Sequence, residues 1–361
     1  LHADLHLTET DVGWLSSLPP MLFAIAAVPG ALLIARFGIV PALVMGLLLN
    51  AFGSAARAAF SEPAMLYAST IAMAAGVSIM QPSLPPLVRT WFPQRIGFAT
   101  AVYTTGLLIG EILAAALTIP LILPLTDNSW RLTFVVWSIP VLITALLVAI
   151  YAPRLGATKT TVAPTVGRRW WPDWRRPLIW KLGLILGSVN ATYFVTNAFL
   201  PDYMTADGHP ELISSALTAI NVGQLPAAFL MLGMAGRLVT RPAAYVATGS
   251  LALICLIGML TMHGDWIVFW VAILGFTGAV TLILALALPS VLSAPDDVHR
   301  TSAGMFTVSY SVAMLLSVVG GWLWDTTHSP IVGFAPVAVC ALVVVALAGT
   351  VRQADPNFQN R

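Results

Sequence analysis

The chain has very few charged residues for its length. Of its 361 residues, 9% are Asp, Glu, Lys or Arg, whereas 58% are hydrophobic. A soluble domain carries about 25% charged residues, so this composition excludes a surface that faces water on all sides. The apolar runs are about 20 residues long, which as a helix crosses roughly 30 Å of hydrocarbon. The sequence therefore predicts an all-α membrane protein that crosses the bilayer many times.

Residues that carry enzyme or metal chemistry are also scarce. The two cysteines, Cys255 and Cys340, each lie in an apolar run, where a small buried thiol is the ordinary role. All six histidines fall in predicted loops. The sequence contains no glycine-rich phosphate loop with its Lys, no Ser, His and Asp set and no paired carboxylates. These absences argue against an enzyme, a metal, another cofactor and an ATP-driven cycle, and the net charge of +2 gives no reason to expect nucleic acid.

Eleven apolar helices can be delimited along the chain. They are predicted at 11–35, 41–60, 63–88, 96–123, 130–151, 178–200, 211–236, 242–262, 266–290, 301–324 and 330–351. If residues 1–10 lie outside, 15 of the 17 Lys and Arg fall inside, all but Arg57 and Arg131. Basic residues concentrate in cytoplasmic loops. The expected topology in a bacterial cytoplasmic (inner) membrane therefore has residues 1–10 outside and the C-terminus inside.

Short motifs recur about 200 residues apart. Leu84-Pro85 recurs as Leu288-Pro289, and three further anchors repeat at nearly the same offset. Parallel repeats of this kind build one large class of carriers from two six-helix halves. The predicted division is 1–153 for the first half, 154–177 for a cytoplasmic linker, 178–351 for the second half and 352–361 for a cytoplasmic tail. The first half shows five helices, so a further helix is expected before Leu1.

Several of these motifs occur together in one known family. The stretch 81–92 opens on Gln81 and a Pro and ends in a basic, aromatic turn. The other matching motifs are VGWLSSLP at 12–19, GSAAR at 53–57, Trp130-Arg131, Asn190 with Tyr193, Leu200-Pro201 and Gly223-Gln224. Together they resemble the cyanate/nitroimidazole permease branch of the major facilitator superfamily. The resemblance implies two pseudo-symmetric six-helix halves and a secondary transporter, a symporter or antiporter, for a small anion or small polar organic solute such as cyanate or a carboxylate.

The loop after the first predicted helix departs from the family pattern. Relatives carry Asp-Arg-x-Gly followed by two basic residues, whereas this chain reads ARFGIV at 35–40. Arg36 and Gly38 remain as the expected gating loop, but Ala35 stands where the family has the acid. The charge lock that steadies one conformation in many relatives is therefore not expected here in its usual form.

Arg57 and Glu111 place charges inside apolar segments. Such charges are costly in hydrocarbon, so they face a cavity or a partner. Three interpretations stay open: an ion pair, an anion site with a proton acceptor beside it, or two unconnected groups. The family resemblance favours Arg57 as a substrate ligand, whereas Glu111 as the proton-coupling group rests on its position alone. Gly106 and Gly110, which precede Glu111, are expected to be close-packing positions.

Uncharged polar side chains inside the apolar segments complete the candidate site. Each one alone is best explained by hydrogen bonding between helices, worth about 0.6–2 kcal/mol. As a set they lie where carriers of this class hold substrate. The expected substrate-binding residues besides Arg57 are Gln81, Tyr193, Asn197, Gln224, Tyr103 and Tyr310. Asn190 and Asn221 share the pattern but are left outside the expected site.

Two other functions remain open from the sequence. A multidrug-type efflux pump for apolar compounds would use the 12 Trp and 12 Met to line an apolar cavity. A non-transporting membrane sensor, or a membrane-embedded hydrolase, would need a signalling domain or a nucleophile set that the sequence does not contain. The expected partners are a small-molecule substrate, protons and the lipid bilayer, and the protein is expected to be a monomer.

Overall fold

The computed structural model describes residues 9–59, 62–155 and 170–353, and within these ranges the chain is helical and contains no strand. Eleven segments of this part are long and apolar enough to cross a membrane. The predicted all-α fold and the predicted eleven apolar segments of membrane length are therefore confirmed. The helices are α1 (Glu9–Phe37), α2 (Ile39–Ala59), α3 (Pro63–Trp91), α4 (Ile96–Leu117), α5 (Leu123–Leu125), α6 (Trp130–Leu155), α7 (Pro177–Ala206), α8 (Ile213–Val222), α9 (Gln224–Leu238), α10 (Pro242–Thr261), α11 (Asp265–Leu292), α12 (Val298–Thr327), α13 (Pro330–Gly333) and α14 (Ala335–Leu347).

Three predicted helices are interrupted near prolines. The segment predicted at 211–236 is split into α8 and α9 at Gly223. Pro226 has no N–H to donate to the carbonyl of Val222, four residues earlier, so the helix cannot run on unchanged. A π-helical turn at Thr118–Ile122 interrupts the segment predicted at 96–123. The segment predicted at 330–351 is divided in the same way, into α13 and α14.

A single glycine separates the first two helices. Gly38 has a φ of 93°, which L side chains rarely adopt, so the chain turns there without a longer loop. Its N–H donates to the carbonyl of Ile34 at 2.9 Å, and its carbonyl accepts from the N–H of Ala42 at 3.2 Å. The neighbouring Arg36 is exposed and lies 5.5 Å from the ring centroid of Phe37. The gating role of Arg36 and Gly38 stays a prediction.

The first of two compact units contains the described residues of 1–91, 113–173 and 295–307. Within it, α2 lies against both α3 and α6, and glycines make the approach to α3 close. A Cβ on Gly76 would lie 2.5 Å from the backbone nitrogen of Asn50, and one on Gly53 would lie 2.5 Å from that of Met73. The small residues therefore set the distance between these two helices, as is common in membranes.

The second compact unit contains the described residues of 92–112, 174–294 and 308–353. Its α11 is the most enclosed of the eleven candidate spans, with 72% of its apolar window buried. Near the C-terminal ends of α7 and α10, Tyr203 donates to the carbonyl of Met259 at 3.2 Å and packs against the ring of Phe334. The predicted division into 1–153 and 178–351 stays a prediction. Most of the predicted linker, residues 156–169, and residues 1–8 and 354–361 lie outside the described ranges.

Candidate functional site

Four polar side chains from four helices of the second unit form a hydrogen-bonded network. Tyr193 on α7 lies at its centre: its hydroxyl is 2.7 Å from Oε1 of Glu111 on α4 and 2.9 Å from Oδ1 of Asn221 on α8. Nε2 of Gln224, the first residue of α9, lies 3.4 Å from the same Asn221 oxygen. The network therefore joins a carboxyl group to three neutral groups.

The break between α8 and α9 positions two members of this network. Asn221 lies in the last turn of α8, and Gln224 begins α9 immediately after Gly223. A Cβ on Gly223 would lie 2.1 Å from the carbonyl oxygen of Ala272, so only glycine permits this approach of α11.

The α4 face next to Glu111 borders open space. A Cβ added to Gly106 or Gly110 would meet no atom within 4 Å, so the expectation that these glycines are close-packing positions is wrong. Glu111 itself is exposed. Inside a membrane-spanning helix, an exposed carboxyl group requires contact with water or a polar ligand. Glu111 thus accepts from the neutral hydroxyl of Tyr193 on one side and is accessible to water or a polar ligand on the other.

Arg57 in the first unit has a different environment. Its Cζ lies 4.1 Å from the ring centroid of Phe134 on α6, and its Nη1 lies 3.7 Å from the sulfur of Met73 on α3. Within the described part of the chain no carboxylate pairs with Arg57, and its buried Nε has no acceptor. A cation over an aromatic ring is held electrostatically and keeps guanidinium donors for an anion. Arg57 and Glu111 belong to different units, and each has partners in its own unit.

The other expected residues are spread over several helices. Asn197 donates from Nδ2 to the backbone carbonyl of Tyr193 at 2.8 Å, one turn earlier on α7. Gln81 on α3 and Tyr103 on α4 are half-buried, whereas Tyr310 on α12 is only 9% exposed. The structure therefore brings Glu111, Tyr193 and Gln224 together, as members of the expected site, and places Gln81 with Arg57 in the first unit.

Sequence reasoning left out one member of the network. Asn221 shares the polar pattern but lies outside the expected site, and its Oδ1 is the acceptor shared by Tyr193 and Gln224. A signal for it was present in the sequence. Asn221 and Gln224 are three residues apart on either side of Gly223, with Pro226 just beyond, and this spacing brings two amides to a helix break.

A many-helix membrane protein with polar groups at a helix break is the architecture of a carrier, and comparison with known proteins gives the family. The family model of the Major Facilitator Superfamily matches residues 1–318, so the chain belongs to that superfamily. It is similar to the 2-nitroimidazole transporter of Escherichia coli (25% identity, 95% of this chain and 87% of the relative). It is also similar to the E. coli cyanate transport protein CynX (26%, 95% and 88%) and to the uncharacterized Bacillus subtilis transporter YycB (26%, 97% and 86%). The chain is a transporter and not an enzyme.

Solved structures agree on the fold. A crystal structure of the E. coli fucose:proton symporter FucP matches with a TM-score of 0.72 at 15% identity, over 96% of this chain and 92% of that one. A double-Trp mutant of XylE matches with a TM-score of 0.74 at 14% identity, over 95% and 86%. The predicted superfamily and fold are therefore confirmed.

Proposed function

We propose that this secondary transporter carries a small anion or small polar organic solute, such as cyanate or a carboxylate, and couples its movement to protons. It would do so in the bacterial cytoplasmic membrane as a monomer, with residues 1–10 outside and the C-terminus inside. Two similarities support the substrate class by analogy, because one relative is a cyanate transport protein and the other a 2-nitroimidazole transporter.

The Glu111–Tyr193 hydrogen bond is the observation that carries the proton-coupling part of this proposal. Glu111 lies about 22 Å from the start of α4 and about 21 Å from the end of its continuation at Leu125, at 1.5 Å per residue. A carboxyl group so deep in a membrane helix is a functional group by default. Its partner is a neutral hydroxyl, so Glu111 can gain or lose a proton without breaking an ion pair.

Arg57 supports the choice of an anionic or strongly polar solute. The guanidinium has aromatic and sulfur contacts, and no described carboxylate neutralises it. An anion that replaced water at this group would gain charge-assisted hydrogen bonds. Tyr193, Asn197, Gln224, Gln81, Tyr103 and Tyr310 would supply hydrogen bonds to the remainder of the solute. Arg57 and Gln81 lie in the first unit, and the other residues of this set lie in the second.

The test uses the purified protein in proteoliposomes with an internal pH-sensitive dye. Cyanate, acetate, 2-nitroimidazole and an apolar cationic dye are added in turn, and proton flux is measured relative to protein-free liposomes. The proposal expects protein-dependent proton flux with cyanate or acetate, lost in Glu111→Gln. Proton flux that is unchanged in Glu111→Gln would remove the coupling role, and transport of the cationic dye alone would favour the efflux-pump alternative.

A further inference from the structure

The network around Tyr193 has more acceptors than its hydrogens can satisfy at once. A tyrosine hydroxyl has one hydrogen to donate, yet both Glu111 Oε1 and Asn221 Oδ1 lie within donating distance, at 2.7 and 2.9 Å. An ionised Glu111 has no hydrogen to give. Whenever Glu111 is ionised, Tyr193 can therefore donate to only one of these two oxygens, and the other contact is not a hydrogen bond.

The orientation of the Asn221 amide is fixed by its own helix. Its Nδ2 donates to the carbonyl of Leu217 at 2.8 Å, so Oδ1 is the atom that faces Tyr193. Asn221 therefore cannot supply the missing hydrogen to Tyr193. The Gln224 amide, at 3.4 Å, also acts as a donor toward Asn221 Oδ1. Among the described side chains, the donors that reach Asn221 Oδ1 are Tyr193 and Gln224.

We propose that Tyr193 and Asn221 form a proton-sensing relay, in which the protonation of Glu111 on α4 reverses the direction of the Tyr193 hydrogen bond and changes the donors on Asn221 next to the helix break at Gly223. When Glu111 is ionised, the Tyr193 hydrogen points to Glu111, and Asn221 Oδ1 keeps only the longer contact with Gln224. When Glu111 takes up one proton, the carboxylic acid donates to Tyr193 and Tyr193 donates to Asn221. One proton enters the network, and Tyr193 and Asn221 stay neutral.

The relay rests on the proposed proton-coupling role of Glu111, and it extends that role to two positioning residues. Within the described ranges, the titratable group that contacts Glu111 is Tyr193, and the other groups around Tyr193 are the neutral amides of Asn221 and Asn197. The consequence reaches Gln224, because the same Asn221 oxygen accepts from it. Protonation of Glu111 therefore changes the hydrogen bonding at Gln224, the proposed substrate-binding amide at the start of α9.

The relay predicts shifts of opposite sign for two variants. Tyr193→Phe removes the charge-assisted bond that stabilises ionised Glu111, so the midpoint of the Glu111 titration rises by about one pH unit or more. Asn221→Leu removes the acceptor that stabilises the protonated arrangement and leaves the Tyr193 bond to the carboxylate. The midpoint therefore falls by roughly half a unit to one unit. A merely structural role for Asn221 gives no downward shift.

The measurement is an infrared pH titration of the full chain in lipid, with no substrate. The carbonyl stretching band of protonated Glu111 is identified by its loss in Glu111→Gln. Asn190→Leu is the matched control for Asn221→Leu, because the Asn190 amide also makes a hydrogen bond between helices, from α7 to Ser309 Oγ at 2.9 Å. The midpoint in this control is expected to equal that of the unchanged protein. Asn221→Ala serves as a second variant where Leu prevents folding.

Two results would overturn the relay. One is a midpoint that stays unchanged or rises in both Asn221 variants while Tyr193→Phe raises it. The other is a downward shift of equal size in Asn190→Leu. Because the titration needs no transported solute, it separates the relay from the proposed function. If the unchanged protein shows no cyanate-driven proton flux but the two variants shift the Glu111 midpoint in opposite directions, the proposed solute is rejected and the relay is kept. If the flux is present but the midpoint shifts are not, the relay alone is rejected.

Discussion

Arg57 and Glu111 are both charged groups inside apolar helices, but their surroundings differ in kind. The cation lies against the face of Phe134 and the sulfur of Met73, neither of which gains or loses protons near neutral pH. The carboxyl group meets Tyr193, a hydroxyl whose hydrogen can turn between two acceptors. The first environment preserves a charge, whereas the second allows a charge to change.

The packing around the two sites differs in the same sense. One helical turn before Arg57, Gly53 lies against the backbone of Met73, so α2 and α3 have no room for a methyl group there. One residue before Glu111, Gly110 borders open space. Arg57 thus lies in a tightly packed interface, and Glu111 lies beside open space. The predictions below test whether these two differences hold.

The largest effect is expected on cyanate affinity when Arg57, the proposed ligand of the solute's charge, is replaced. Arg57→Ala should raise the cyanate concentration that half-saturates thermal stabilisation of the protein by roughly 10- to 100-fold, since bonds to charged groups contribute about 1.5–3 kcal/mol. The pH dependence of proton flux should remain. Arg57→Lys keeps the charge but not the planar guanidinium, so its half-saturating cyanate concentration should lie between those of the unchanged protein and Arg57→Ala. Cyanate binding by Arg57→Ala with unchanged affinity would contradict the anion role.

The second prediction compares the same substitution at both sites. Gly53→Ala places a methyl group about 2.5 Å from the backbone nitrogen of Met73, a contact that must be relieved at a cost of about 1–3 kcal/mol. Gly110→Ala meets nothing within 4 Å and gains helix propensity, worth up to about 1 kcal/mol. The melting temperature in detergent should therefore fall in the first variant and stay or rise in the second. Equal melting temperatures would mean that the α2–α3 contact is looser than the structure indicates.

The sequence predicted the fold better than it predicted the arrangement of the site. The eleven apolar segments depend on composition over many residues, which a single sequence records well. The break at Gly223 depends on one missing N–H at Pro226 and on the approach of Ala272 from α11, a distant part of the chain. Periodicity gives no information on such a contact, so the segment at 211–236 was predicted as one helix.

The same reason explains which site residues could be predicted. Glu111 and Tyr193 stand out because each is polar inside an apolar run. Their 2.7 Å contact joins α4 to α7 across 82 residues, and nothing local specifies it. Gly106 and Gly110 match the small-residue pattern of packed membrane helices, yet in the described part of the chain no atom lies within 4 Å of a Cβ added to either glycine. The pattern indicates small residues but not what lies next to them.

The third prediction concerns the ring beneath the cation. Phe134→Leu removes the aromatic face 4.1 Å from Arg57 and should destabilise the protein by about 1–2 kcal/mol beyond the loss of apolar contact. Phe194→Leu is the matched control, because Phe194 packs edge-to-face on Tyr193 with ring centroids 5.9 Å apart, and the cations that lie over rings in the described part of the chain lie over Phe37, Phe134 and Trp130. The melting temperature should fall further in the Phe134 variant. A larger fall in melting temperature in the Phe194 variant would show that the ring beneath Arg57 has no special electrostatic role.

The smallest expected effect compares two amides on α7. Asn197 uses one amide hydrogen on the carbonyl of Tyr193, within its own helix, and has a second hydrogen for solute. Asn197→Ala should therefore weaken cyanate binding by about 2- to 10-fold, the value of one neutral hydrogen bond. Asn190 donates to Ser309 at 2.9 Å, so Asn190→Ala should lower stability by about 0.6 kcal/mol and leave cyanate binding unchanged. If the two variants weakened binding equally, Asn197 would be a packing residue, and solute contact on α7 would be confined to Tyr193.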